Sequence, residues 1–271
     1  MDLRDAVQSL LLLGCGKMGG AMLEGWLAGG LAPDRVQVIE PNPVPRLTAL
    51  AGQGLALNPA TPSKPAVAVL AVKPQMMGAA LPAVAGFGGG GTLVLSIAAG
   101  TPLAAFEAAF GTGTPVVRAM PNTPAAIGRG ITAIVANAAA GEAGLAQAEA
   151  LLAPVSTVVR LDAESQMDAV TGVSGSGPAY VFHLIEALAA AGEAEGLSAT
   201  LAMRLARATV IGAGALAAAS SEGPDVLRRN VTSPGGTTAA GLDVLMPALP
   251  DLMRRTVAAA AGRSRALARE D

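Results

Sequence analysis

Cysteine, histidine, tyrosine and tryptophan each occur once in this chain of 271 residues, and lysine occurs only at positions 17, 64 and 73. Each scarcity excludes something. Cys15 has no partner in the chain, so a disulfide framework is excluded and a reducing cytoplasm is the default setting. One His and one Cys cannot build an N/S ligand set, which excludes a metal site of that kind. Charged residues make up 14% of the chain and balance to a net charge of −2, so the basic footprint of a nucleic-acid binder is missing. Oxidation of an alcohol needs a group to take the hydroxyl proton, usually His, Lys or Tyr. Beyond position 73 only Tyr180 and His183 remain. Tyr180 reads as a packing residue of a helix face, and His183, on an apolar helix, as a core or interface residue.

No membrane span is expected either. The charge-free stretch between Lys73 and Glu107 is broken by Pro74, Pro82, Pro102 and Gly88–Gly91, and Ala208–Ser221 is too short to cross a bilayer. The start, Met1–Asp5, lacks the basic region and cleavage site of a signal peptide. What the chain has in excess is apolarity, 52% of all residues. Apolar surface without a span points to a subunit interface.

Up to about Asp162, short apolar runs alternate with helical patterns. Ser9–Leu13, Val36–Glu40, Ala66–Val72, Thr92–Ile97, Val116–Ala119, Ile131–Ala136 and Val155–Leu161 read as strands. Met18–Ala28, Pro45–Ala51, Gln75–Ala85, Pro102–Phe110 and Glu142–Leu152 read as helices. Such alternation predicts a parallel sheet covered on both faces. Thereafter only helical segments are expected: Glu164–Ala194, Ala199–Ser220, Pro224–Asn230, Thr237–Met246 and Asp251–Ala268, the last two separated by Pro247 and Pro250. The reading is an α/β domain at 1–162 followed by an all-α domain at 163–271.

Leu10–Leu13 runs into Gly14-Cys15-Gly16-Lys17-Met18-Gly19, a G-x-G-x-x-G after the first strand and opening the first helix. In that context it is a dinucleotide fingerprint: Gly14 for the tight turn, Gly16 for close approach of the pyrophosphate, Gly19 for helix–strand packing. Lys17 and Met18 lie within the same loop. Cys15, its middle residue, is expected to be a small packing residue. Glu40 ends the second strand, where an acid accepts from the ribose 2′-OH and points to NAD(H). Asn58 and Arg46 stand on the other side, as possible contacts for a 2′-phosphate. Lys73, at the end of the third strand, is equally a cofactor contact or a solvated charge.

Two turns of hydroxyls and glycines lie in the helical half. Asp168–Phe182 packs Thr171, Ser174 and Ser176 among Gly172, Gly175 and Gly177, and Asn230–Thr238 carries Ser233-Pro234-Gly235-Gly236-Thr237-Thr238. Backbone N–H groups leading into a helix cradle a carboxylate. A protonated C=N bond takes hydride without a strong protein acid and needs mainly positioning.

G-C-G-K-M-G, A-V-K-P (71–74), M-P-N-T-P (120–124), D-A-V-T-G-V-S-G-S-G-P-A-Y and T-S-P-G-G-T-T, in this order, resemble pyrroline-5-carboxylate reductase over nearly the whole chain. The resemblance implies a Rossmann domain, a helical dimerisation domain, and reduction of 1-pyrroline-5-carboxylate to L-proline by NADH or NADPH. It implies intertwined dimers and assemblies as large as decamers. It places cofactor contacts on Gly14, Gly16, Lys17, Met18, Gly19, Asn58, Val72 and Lys73, with Ala98 and Ala99 near the nicotinamide. It places substrate contacts on Glu164, Ser174, Gly175, Ser176, Gly177, Asn230, Gly235, Gly236, Thr237 and Thr238. Thr238 matches the hydroxyl that bonds the ring nitrogen. Glu40 departs from the family, which commonly has small or polar residues there and often uses NADPH. Other readings are a β-hydroxyacid-type dehydrogenase, disfavoured by the missing lysines, and a non-catalytic dinucleotide-binding module.

Overall fold

The computed structural model describes residues 3–270; Met1 and Asp2, part of the N-terminal stretch read above, and Asp271 lie outside the described residues. The chain divides into two compact units, Met1–Gly175 with Ala260–Asp271, and Ser176–Ala259.

The first unit is built on an eight-stranded sheet of order β3-β2-β1-β4-β5-β6-β7-β8. The strands are β1 (Leu10–Leu13), β2 (Val36–Ile39), β3 (Ala56–Leu57), β4 (Val67–Leu70), β5 (Leu93–Ser96), β6 (Val116–Met120), β7 (Gly130–Ala136) and β8 (Ser156–Arg160). Helices α1 (Leu3–Ala6), α2 (Lys17–Ala28), α3 (Pro45–Ala51), α4 (Met77–Ala80), α5 (Leu103–Phe110), α6 (Gly141–Leu152) and α7 (Met167–Val170) accompany it. Successive side chains of a strand point to opposite faces. Leu10 and Leu12 therefore join Trp26, Val38 and Val69 in one buried cluster, and Leu11 and Leu13 join Leu70, Val94 and Phe106 in another. With both faces covered, strands of uninterrupted Leu and Val are stable in the interior. The order reverses at β1, whose neighbours are β2 and β4, as in a Rossmann fold.

The sheet is not parallel throughout: β7 runs antiparallel to β6, with Ala119 opposite Ile134, while β8 is parallel to β7. Only Pro121–Arg129 joins β6 to β7, too short for the helical crossover a parallel pair requires. The helix expected over Gln75–Ala85 is reduced to α4 flanked by short 3₁₀ turns at Pro74–Met76, Leu81–Ala83 and Ala85–Phe87. Pro82 lacks the N–H that would continue the helix. The two-residue β3 was not anticipated, being too short to show periodicity.

The second unit is helical. Helices α8 (Gly177–Ala194), α9 (Ala199–Ala219), α10 (Pro224–Asn230) and α11 (Thr237–Glu270) follow in order, α11 returning to the first unit from Ala260 onward. The helix expected from Glu164 to Ala194 is instead a 3₁₀ turn at Glu164–Gln166, then α7, a π-helical turn at Thr171–Gly175, and α8. Gly172 and Gly175, which weaken an α-helix, fall in that turn. Conversely, Pro247 and Pro250 do not end α11, which runs through both. Each proline removes one backbone bond; helical bonds on either side carry the chain through.

The helical unit buries little. Ala189 of α8 packs with Ala202 and Ala206 of α9 and with Ile185. Phe182, Leu184, Ile211, Leu216 and Val244 are exposed, Val244 at 77%. α9 is long and apolar enough to cross a membrane by length and composition, although it carries Arg204 and Arg207. His183 is not a core residue: it lies exposed on α8, its Nδ1 3.0 Å from Glu186 Oε2.

Candidate cofactor and substrate sites

The glycine loop follows directly from β1. Gly14, at φ +88°, donates its N–H to the Ile39 carbonyl at 2.9 Å. A Cβ at Gly14 would lie 2.9 Å from the Ala71 carbonyl oxygen, and one at Gly19 would collide with the Gly14 carbonyl oxygen. Both glycines are therefore required by packing. Gly16 differs: a Cβ there would meet nothing within 4 Å. Its bare backbone faces open space at the start of α2, where unpaired N–H groups favour an anion.

Two cavities flank this loop. One, of about 470 Å³, lies over the ends of β1, β2 and β4 and is lined by Gly14, Gly16, Glu40, Asn42, Val72, Lys73 and Met76, among others. The other, of about 610 Å³, is lined by Gly16, Lys17, Met18, Val72, Lys73, Ile97, Ala98, Ala99, Met120 and Pro121. Gly16, Ala71, Val72 and Lys73 form their common wall. The arrangement fits a dinucleotide: one compartment on each side of a glycine loop that leaves room for a pyrophosphate.

Glu40 is tightly held. Its Oε2 accepts from the Cys15 N–H at 2.8 Å and its Oε1 from the Asn42 N–H at 3.0 Å. Asn58, at φ +47°, accepts from the Glu40 N–H at 2.8 Å and donates to the Glu40 carbonyl at 2.9 Å. Asn58 thus braces Glu40 and does not line the cavities. Arg46 is bound through two bonds, 2.6 and 2.9 Å, to Glu24. Hydrogen bonding from Arg46 lowers the Glu24 carboxyl below its ordinary range. Cys15 is a buried packing residue whose thiol is pushed up to about 11 by burial and by the Glu40 and Glu24 charges, so it remains protonated.

The expected substrate residues fall in both units. In the first, Glu164 Oε1 accepts from the Leu103 N–H and from Arg118 Nη1, both at 2.8 Å. Ser174 Oγ donates to the Val170 carbonyl at 3.1 Å, and a Cβ on Gly175 would lie 2.6 Å from Met120 Cε. None of these three lines either cavity. In the second unit, Ser176 and Gly177 open α8, and Asn230, ending α10, donates to Glu222 Oε2 at 3.2 Å. Gly235 takes φ +68° and the Gly236 N–H donates to the Ser233 carbonyl at 3.0 Å, turning the chain into α11. Thr237 and Thr238 lie exposed in the first turn of that helix.

Asn122 of the M-P-N-T-P motif has a role that its sequence did not reveal. Its Oδ1 accepts from the Ile131 N–H and its Nδ2 donates to the Ser174 carbonyl, at 3.0 and 3.2 Å. It ties the start of β7 to the π-helical turn. Met120 and Pro121, which follow at a strand end, were missed as cavity residues; their place at the end of β6 was the available signal.

Comparison with known proteins decides the family. The chain is 40% identical over 267 residues to the pyrroline-5-carboxylate reductase of Pseudomonas aeruginosa, covering 96% of this chain and 97% of that one. The chain belongs to the pyrroline-5-carboxylate reductase family. The family model for pyrroline-5-carboxylate reductase dimerisation matches residues 164–267, and one described as NADP oxidoreductase coenzyme F420-dependent matches residues 9–100. Among solved structures, the Coxiella burnetii pyrroline-5-carboxylate reductase superposes with a TM-score of 0.87 at 31% identity, covering 96% of this chain and 98% of that one. The Plasmodium falciparum pyrroline carboxylate reductase, solved with NADP bound, gives 0.80 at 27% identity with the same coverage. This member of the reductase family thus pairs a Rossmann unit bearing the glycine loop with a helical dimerisation region.

Proposed function

We infer that the two cavities around Gly16 hold the reduced nicotinamide dinucleotide of a pyrroline-5-carboxylate reductase, and that the helical region supplies the substrate site. The chain is an NAD(P)H-dependent oxidoreductase that reduces the C=N bond of 1-pyrroline-5-carboxylate to give L-proline. Bound NADH or NADPH supplies the hydride, and a proton completes the amine. The observation that carries this reading is the glycine loop whose open Gly16 face joins two cavities at the reversal of strand order.

In this reading Gly14, Gly16, Lys17, Met18 and Gly19 form the pyrophosphate loop. Glu40 stands at the ribose with Asn58 behind it, Val72 and Lys73 bridge the two compartments, and Ala98 and Ala99 border the nicotinamide. The small Ala side chains leave a flat surface for a ring, and the buried Ser96 Oγ holds the Ala98 N–H at 3.2 Å. The substrate carboxylate is assigned to the Gly235-Gly236-Thr237-Thr238 turn, whose first helical N–H groups have no intrahelical acceptor. Thr238 orients the imine nitrogen or passes it a proton through water. Ser174, Gly175, Ser176, Gly177, Asn230 and Glu164 are the remaining candidates for substrate contact. This division puts the domain boundary near 162/163, supported by a dimerisation match starting at 164.

The exposed apolar residues of α8, α9 and α11 support a homodimer formed through the helical region. A higher assembly such as a decamer, and a cytoplasmic setting for the free, protonated Cys15, complete the proposal.

The test is steady-state loss of reduced nicotinamide with 1-pyrroline-5-carboxylate, using NADH and NADPH separately. Substrate-dependent oxidation with proline as product is expected. No proline with either cofactor would overturn the catalytic reading.

A further inference from the structure

We propose that Glu40 makes this chain select NAD(H) over NADP(H), by accepting the ribose 2′-hydroxyl and repelling a 2′-phosphate. The inference rests on the reading that the cavity beside β2 takes the adenosine half of the cofactor.

Position comes first. Glu40 directly follows β2, and the preceding residue, Ile39, accepts the Gly14 N–H at 2.9 Å. That bond sets the carboxylate beside the glycine loop, at the strand ends where such sheets bind ligands. Glu40 lines the cavity over β1, β2 and β4 and is absent from the lining of the other.

Rigidity comes second. The carboxylate is held by two backbone N–H donors, Cys15 and Asn42, and the Glu40 backbone by both ends of the Asn58 amide. Asn58 is the one non-glycine residue with positive φ among the described residues, a conformation that costs energy unless local contacts impose it. A carboxylate fixed this way cannot turn aside without releasing the N–H at the centre of the glycine loop. Each of its oxygens has a second lone pair, so it can still accept from a hydroxyl.

Charge decides the sign. A 2′-hydroxyl donates a hydrogen bond to this acceptor, whereas a 2′-phosphate brings like charge against a fixed anion. A compensating cation would be required. Arg46 lines neither cavity and pairs with Glu24 at the surface. Among the described residues Lys73 is the one cation lining this cavity, and it stands on the wall shared with the second cavity, beside Gly16. Its charge belongs with the pyrophosphate.

The test is equilibrium binding of NADH and NADPH to the full-length protein, by titration calorimetry at one ionic strength. Wild type should bind NADH roughly tenfold or more tightly than NADPH. Glu40→Gln, which removes the charge and keeps the shape, should shrink that ratio by about tenfold or reverse it. Asn42→Arg adds a cation beside the ribose and leaves the Asn42 N–H in place, so it should tighten NADPH binding selectively even if Glu40→Gln does not fold. NADPH binding as tight as NADH in wild type would overturn the proposal, as would an unchanged ratio in both variants. The expected ratio together with no turnover of 1-pyrroline-5-carboxylate would support the Glu40 assignment and remove the catalytic reading, so the two fail separately.

Discussion

Arg118 and Glu164, 46 residues apart, meet through a 2.8 Å bond in which the guanidinium is nearly buried and the carboxylate only partly so. The same carboxylate oxygen also receives the Leu103 N–H that opens α5. Glu164 therefore braces the start of a helix and neutralises a buried cation. Glu164→Ala leaves that cation unpaired and should cost about 2 kcal/mol, between the values for exposed and for fully buried pairs, because Arg118 is buried and Glu164 partly solvated. Urea unfolding measures this. Wild-type stability with a raised KM would instead make Glu164 a direct substrate contact.

Thr238 lies exposed at the head of α11, where substitution costs little stability. Thr238→Ala should keep the unfolding midpoint and lower kcat on the order of 10- to 100-fold, the scale of one lost hydrogen-bonding group at a reacting centre. Stopped-flow or steady-state reduction of 1-pyrroline-5-carboxylate gives the answer. Kinetics equal to wild type would remove Thr238 from the reacting atoms.

The glycine loop separates packing from binding. Gly16→Ala meets no protein atom and should fold normally while weakening nicotinamide dinucleotide binding roughly tenfold or more. Gly19→Ala forces its methyl against the Gly14 carbonyl and should destabilise the apo-protein by about 1–3 kcal/mol. Thermal melting without cofactor, paired with cofactor titration, distinguishes the two. Equal loss of stability in both variants would contradict the open face at Gly16.

The Cys15 thiol, held protonated to about pH 11 against an ordinary value of 9.0, gives stability a defined dependence on alkali. Below pH 9 both folded and unfolded thiols are protonated and the contribution is constant. Between about 9 and 11 the unfolded chain loses its proton first, so stability falls as pH rises, by up to roughly 2–3 kcal/mol. Urea midpoints from pH 8 to 11 should fall more steeply for wild type than for Cys15→Ala. Parallel curves would show that the thiol titrates alike in both states.

Much of the cofactor end was legible because its signals are local. A run of leucines, a glycine loop and a helix are neighbours in sequence, and Gly19 answers a steric demand made by Gly14 within the same loop. β1, β2 and α3 consequently fall within a residue of expectation. Where the reading failed, distance in sequence was the reason. The antiparallel β7 depends on how a short connection closes onto the sheet. Pro247 and Pro250 looked like breaks because their local preference opposes helix, yet α11 continues through them. His183, read as a core or interface residue, is exposed on α8, which excludes the core half of that reading and shows how little this helical unit buries by itself.

The sequence by itself determined the alternation of strands and helices, the glycine loop and its dinucleotide, the all-helical second half and the resemblance to one reductase family. These follow from periodicity and from steric rules acting over a few residues. Only the tertiary structure decided which polar groups were already engaged. Arg46 and Asn58, both candidates for a 2′-phosphate, are bound to Glu24 and to the Glu40 backbone, and Glu164 is bound to Arg118. Spacing carries no record of such pairings. They exist because folding brings together side chains tens of residues apart: the buried Arg118 must find a partner there, while Arg46 and Asn58 find theirs at the exposed surface.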